Sequence, residues 1–142
     1  MDLRTRHVKT LWAVFIVYIA ALLRITVFRS GFDLKNAFSG GEINPVPILD
    51  LAKTFLSDKR AFVYLFFGNI IWFVPFGFLL KKLTKITTAK IIFFGFLLSL
   101  FIETMQFIFG VGVSEIDDLL LNTLGAATGA AAGMLNRKSQ IK

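Results

Sequence analysis

Four long apolar blocks constrain this chain more than any other feature. They run over residues 8–28, 61–80, 89–109 and 119–135. Each is close to the roughly 20 residues that a helix needs to cross about 30 Å of hydrocarbon. No water is available there to bond the backbone, so only helices or a closed barrel can span. None of the blocks alternates apolar with polar as a barrel strand does. The expected fold class is an all-α integral membrane protein. It is a four-transmembrane-helix bundle in which residues 1–142 form one domain. The abundance of apolar residues agrees: they make up 56% of the chain and include 17 Phe, against about 45–50% in a soluble domain. The first block is interrupted only by Lys9 and Arg24 and has no clean small-residue cleavage site. It therefore reads as a retained span and not a signal peptide.

The net charge is +7. In a soluble chain that balance would raise nucleic acid as a partner. Here the basic residues flank the apolar blocks, so they read as determinants of orientation and as contacts for anionic lipid, and no nucleic acid is expected. Ten Lys or Arg fall on one side: Arg4, Arg6, Lys9, Lys81, Lys82, Lys85, Lys90, Arg137, Lys138 and Lys142. Five fall on the other, between Arg29 and Arg60, among Asp33, Glu42, Asp50 and Asp58. Both termini are therefore expected in the cytoplasm. There is no Cys, and His7 is the one His. Thiol chemistry is excluded, a His-ligated zinc is not expected, and His7 belongs to the basic flank.

The first outer loop, residues 29–60, begins with the turn formers Ser30, Gly31, Ser39, Gly40 and Gly41. Asn44-Pro45-Val46-Pro47 prevents helix before Pro47. Beyond it, Ile48, Leu49, Leu51, Ala52, Phe55 and Leu56 recur at helical spacing, with Asp50, Lys53 and Ser57 opposite. That pattern predicts a short interfacial helix of about ten residues, or an ordinary loop helix packed on the bundle. In the fourth block Gly125, Gly129 and Gly133 share one face. Small residues at this spacing let helices approach closely, either within the bundle or in a homo-oligomer. Pro75, flanked by Gly68 and Gly77, should bend the second span.

The polar residues inside the blocks share a depth. Counting 1.5 Å per residue from each midpoint, Arg24 lies roughly 9 Å, Glu103 roughly 6 Å and Asn122 roughly 7 Å to the outer side. Asn69 is near its centre, Gln106 is one turn beyond Glu103, and Asp118 is one turn above Asn122. A charge near the bilayer centre costs on the order of 2.5–3.5 kcal/mol, so such residues should face the bundle and find partners. Arg24 and Glu103 are the natural pair. Arg24, Asn69, Glu103, Gln106, Asp117, Asp118 and Asn122 are the candidate binding residues. They form either a polar network that fixes helix register or an outward-facing pocket for a headgroup, ion or small polar ligand. Glu115, Asp117 and Asp118 are also metal candidates. Yet two acids at the start of a helix are better explained as caps. No cofactor is expected, with a divalent cation as the alternative.

Three segments resemble a known family. They are Asn69-Ile-Ile-Trp-Phe-Val-Pro75-Phe-Gly77, Glu103-x-x-Gln106-Phe107, and Ile116-Asp117-Asp118-Leu-Leu-Leu-Asn122-Thr-Leu-Gly125 with Gly129 beyond. Together with Asn44-x-x-Pro47 they are similar to the VanZ-like family. The resemblance implies a small bacterial membrane protein of the cell envelope, seated in the cytoplasmic membrane. The family takes its name from a member associated with resistance to the glycopeptide teicoplanin. Many members carry an Arg shortly before the acidic stretch, where this chain has Gly110-Val-Gly112-Val-Ser114. The expected function is binding of a lipid headgroup, a lipid-linked cell-wall precursor or a lipidated glycopeptide. The alternative is a membrane-embedded enzyme with Glu103 or Asp118 as base or metal ligand. A transporter is disfavoured, since no inverted repeat is visible.

Overall fold

The computed structural model describes residues 3–29, 32–38 and 40–139. Ser30, Gly31 and Ser39 of the turn-rich stretch, and Lys142 of the basic tail, lie outside the described residues. Among the described residues there are five α-helices: α1 (Leu3–Thr26), α2 (Leu49–Ser57), α3 (Lys59–Leu83), α4 (Thr88–Phe109) and α5 (Ile116–Ser139). Two three-residue strands, β1 (Glu42–Asn44) and β2 (Val113–Glu115), lie in the connections, with one 3-10 turn at Leu34–Asn36. Among the described residues, three helices are long and apolar enough to cross a membrane: Thr5–Thr26, Lys59–Leu83 and Thr88–Phe109. α5 has the length, 24 residues, but its many Gly and Ala residues keep it less apolar than these three.

The helix ends follow from local chemistry. α3 starts where the Asp58 carboxylate accepts the N–H groups of Arg60 and Ala61, at 2.9 and 3.1 Å, a side-chain cap for donors that have no helical partner. α4 starts behind Thr87, whose hydroxyl faces the Lys90 N–H. It ends at Gly110, which takes the left-handed φ of 58° that favours glycine. α1 stops two residues short of its apolar block, with Val27 and Phe28 both turning their N–H groups back to the Leu23 carbonyl. α3 runs through Pro75 as one helix. Pro75 has no N–H to offer, and close by the Tyr18 hydroxyl donates to the Trp72 carbonyl at 2.6 Å.

The tightest packing is α3 against α5. A Cβ on Gly125, Gly129 or Gly77 would overlap the backbone of the facing helix, at Ile70, Val74 and Ala126 respectively. Gly133 lies almost as close to Phe78 and Lys81. In lipid, helices associate through close van der Waals packing and not through hydrophobic exclusion, so the absence of side chains here is what joins them. The glycine face of α5 is thus covered by α3 of the same chain. The apolar core of Leu22, Val27, Phe73, Phe76, Ile102 and Ala126 draws on α1, α3, α4, α5 and the turn after α1. Most of α1 is exposed, with Val14, Ile16 and Val17 facing outward.

One element was not expected from the sequence. β1 pairs with β2 in parallel, Glu42 opposite Val113, Ile43 opposite Ser114 and Asn44 opposite Glu115. A pair three residues long carries no recognisable alternation. Its partners are also some 70 positions apart, so no local pattern could announce it. Before it, the N–H groups of Phe38 and Gly41 donate to the carbonyls of Ile108 and Phe107 at the end of α4, at 2.8 and 2.7 Å. The first long loop is therefore stitched onto the α4–α5 connection.

Candidate functional site

The polar residues converge where that stitch meets the helices. Glu103 lies on α4, and its Oε2 accepts the Glu115 N–H at 3.0 Å. Its carbonyl accepts the Ser114 hydroxyl at 2.7 Å. One residue therefore fixes β2 through both backbone and side chain. Four residues earlier on the same helix, Ser99 is fully buried and accepts from Asn122 Nδ2 at 2.9 Å. Asn69 of α3 donates to Asp118 of α5. Asp117 has a different partner: its Oδ1 accepts the Ile48 N–H at 2.8 Å. Ile48 is in the left-handed region at φ 67°, an uncommon conformation for a β-branched residue, and Asp117 holds the backbone there. Asn44 Oδ1 accepts the Val46 N–H at 3.3 Å and shapes the turn that leads to it.

Asn69, Glu103, Gln106, Asp118 and Asn122 line one cavity of about 400 Å³, together with Arg29, Thr26 and the apolar side chains of Leu22, Ile25, Tyr64, Trp72 and Phe73. Ile25 of α1 and Tyr64 and Trp72 of α3 line the cavity and are also exposed. A smaller space of about 50 Å³ adjoins it, bounded by Asn69, Glu115, Asp117, Asp118 and α2 residues Leu51 and Thr54. Gln106 is 8% exposed; its Nε2 donates to the Thr26 carbonyl at 3.2 Å, while its Oε1 has no partner among the described residues. Leaving a buried acceptor unmatched costs about 1–3 kcal/mol.

Arg24 is not part of this cluster. It is exposed, and its guanidinium folds onto the Phe28 carbonyl at the end of its own helix. The expected pairing of Arg24 with Glu103 is therefore not formed. The cation at the cavity is Arg29, whose Nε donates to the Val111 carbonyl and whose Nη2 fills the space that a side chain on Gly112 would take. Arg29, three residues beyond the end of α1, thus places a guanidinium against the Gly110–Ser114 connection. Arg29 stands outside the apolar blocks, so depth counting passes over it. The open space at Gly112 is a product of the fold and has no signature in the local sequence. Among the described residues, no three His, Cys, Asp or Glu side chains are grouped to hold a metal ion. Asp117 and Asp118 bond to different partners, Ile48 and Asn69.

Comparison with known proteins agrees with the motifs. Residues 15–137 match the family model described as VanZ/LLP1. The chain is similar to Protein VanZ of Enterococcus faecium, 28% identical over 125 residues, which cover 86% of this chain and 72% of that protein. No solved structure matches it.

Proposed function

The chain belongs to the VanZ/LLP1 family, and from that premise we propose that it is a binding protein of the bacterial cytoplasmic membrane. Its outward-facing polar pocket takes a lipid headgroup, a lipid-linked cell-wall precursor or a lipidated glycopeptide, in support of glycopeptide resistance of the teicoplanin type. α5 is its fourth span. At 1.5 Å per residue its 24 residues reach about 36 Å. Basic residues at both ends of the chain also ask for an even number of crossings. α2 lies at the outer interface. Both termini are cytoplasmic, and the cavity opens at the opposite side.

The observation that carries this function is the cavity itself. Its polar groups share the cavity with the exposed side chains of Ile25, Tyr64 and Trp72, which support a mouth open to lipid. A ligand with a polar head and an acyl tail satisfies both parts at once. The test compares protein abundance with glycopeptide susceptibility for Glu103→Gln and Asp118→Asn. Both keep shape and hydrogen-bond acceptors while removing charge. Normal abundance with lost protection is expected. Full protection at normal abundance in both variants would return these residues to a register-fixing role. An enzymatic role has one observation in its favour: two carboxylates, Glu103 and Asp118, share the cavity. It requires turnover of an added envelope lipid that Glu103→Gln abolishes, whereas binding requires retention without turnover.

A further inference from the structure

The polar atoms around the cavity are unequally matched. Each carboxamide nitrogen there has one of its two N–H groups engaged, leaving three to spare: Asn69 donates to Asp118, Asn122 to Ser99 and Gln106 to the Thr26 carbonyl. Acceptors are in surplus. Gln106 Oε1 is buried and, among the described residues, unpartnered. The amide cannot be reversed to relieve it, because the Thr26 carbonyl only accepts and so requires the nitrogen. Glu103 and Asp118 each have one oxygen engaged, by the Glu115 N–H and by Asn69. A carboxylate offers about four lone-pair sites. Arg29 is the reverse case, a cation with one of its five N–H groups on Val111.

The geometry points to a phospholipid headgroup bearing a primary ammonium as the occupant of this cavity. Its three N–H donors meet Gln106 Oε1, Glu103 and Asp118, its phosphate lies beside Arg29, and its acyl chains leave past Ile25, Tyr64 and Trp72. This rests on the binding role proposed above and narrows it to one headgroup chemistry. A quaternary ammonium has no N–H to give. A glycerol headgroup has hydroxyl donors but brings no positive charge to two carboxylates.

The full chain, purified in detergent, is titrated with phosphatidylethanolamine, phosphatidylcholine and phosphatidylglycerol, and bound lipid is read by native mass spectrometry. Phosphatidylethanolamine should bind about tenfold or more tightly than either of the others, the difference that one hydrogen bond to a charged group makes. Gln106→Met should reduce that preference. Asp118→Asn, which keeps the acceptor for Asn69, should do the same and covers the case in which the first variant does not fold. Equal affinity for all three lipids, or a preference that survives both variants, overturns the assignment. Phosphatidylglycerol retained preferentially, and lost in the variants, overturns the ammonium but keeps the pocket; no lipid retained in any arm removes both. Soluble O-phosphoethanolamine binding as tightly as the lipid would make the ligand a free phosphoamine and overturn the lipid. Stabilisation by Mg²⁺ alone, reversed by a chelator, would make the surplus acceptors a cation site and overturn the ammonium.

Discussion

Asp117 and Asp118 are adjacent in sequence and separated in role. Asp117 holds the Ile48 N–H from across the connection, and Asp118 holds Asn69 beside the cavity. Asp117→Ala should therefore destabilise the protein by about 1 kcal/mol for the hydrogen bond lost, read as a lower melting temperature in detergent, with the cavity residues intact. Asp118→Asn should leave the melting temperature nearly unchanged. Equal destabilisation by both would mean that the two acids act as one unit. Depth along each span is legible from the sequence, and depth alone groups Asn69, Glu103, Gln106, Asp118 and Asn122. Direction around the helix is not. Leu22, Ile25 and Thr26 share the face of α1 that lines the cavity. Arg24 is two residues from both Leu22 and Thr26 and so projects from the opposite side.

At the scale of elements, the α3–α5 pair is a contact between backbones. Gly129→Leu should cost about 1–3 kcal/mol or more by overpacking, read as lower abundance and a lower melting temperature. Gly68 is the control on the same pair of helices, since a Cβ there meets no atom within 4 Å. Gly68→Ala should be neutral or stabilising by up to about 1 kcal/mol, because alanine favours the helix more than glycine does. A destabilised Gly68→Ala together with a tolerant Gly129→Leu would assign the close face to the wrong side of the bundle. The helices themselves are read easily from apolar length, and their ends fall within a few residues of the four blocks. The short α2 is also legible, from the apolar spacing after Pro47. The strand pair is not, because its register depends on where α4 and α5 already stand.

For the whole molecule, orientation decides which compartment the cavity faces. A reporter inserted near Gly40 should read outside the cytoplasm and one fused after Lys142 should read inside, as the ten-to-five distribution of Lys and Arg demands. A C-terminal reporter on the outer side would reduce the crossings to an odd number and remove α5 from the membrane. The overall class, helical and apolar, is the most secure inference from sequence because hydrocarbon permits so few backbones. The cavity is the least accessible to sequence, since its lining comes from four helices and from Arg29 beyond the end of α1.

The β1–β2 pairing also sets an order of assembly. Residues 42–44 emerge from the ribosome long before residues 113–115, and α2, α3 and α4 must be made in between. Until the later strand arrives, the early loop has nothing to pair with. The Glu103 carboxylate lacks the Glu115 N–H that it holds in the finished protein. Synthesis thus makes the α1, α3 and α4 walls of the cavity first, and the later strand arrives just ahead of α5, which brings the last wall with Asp118 and Asn122. A nascent chain arrested before Val113 should expose the loop around Asn44 to an external protease, and one released after Ser139 should protect it.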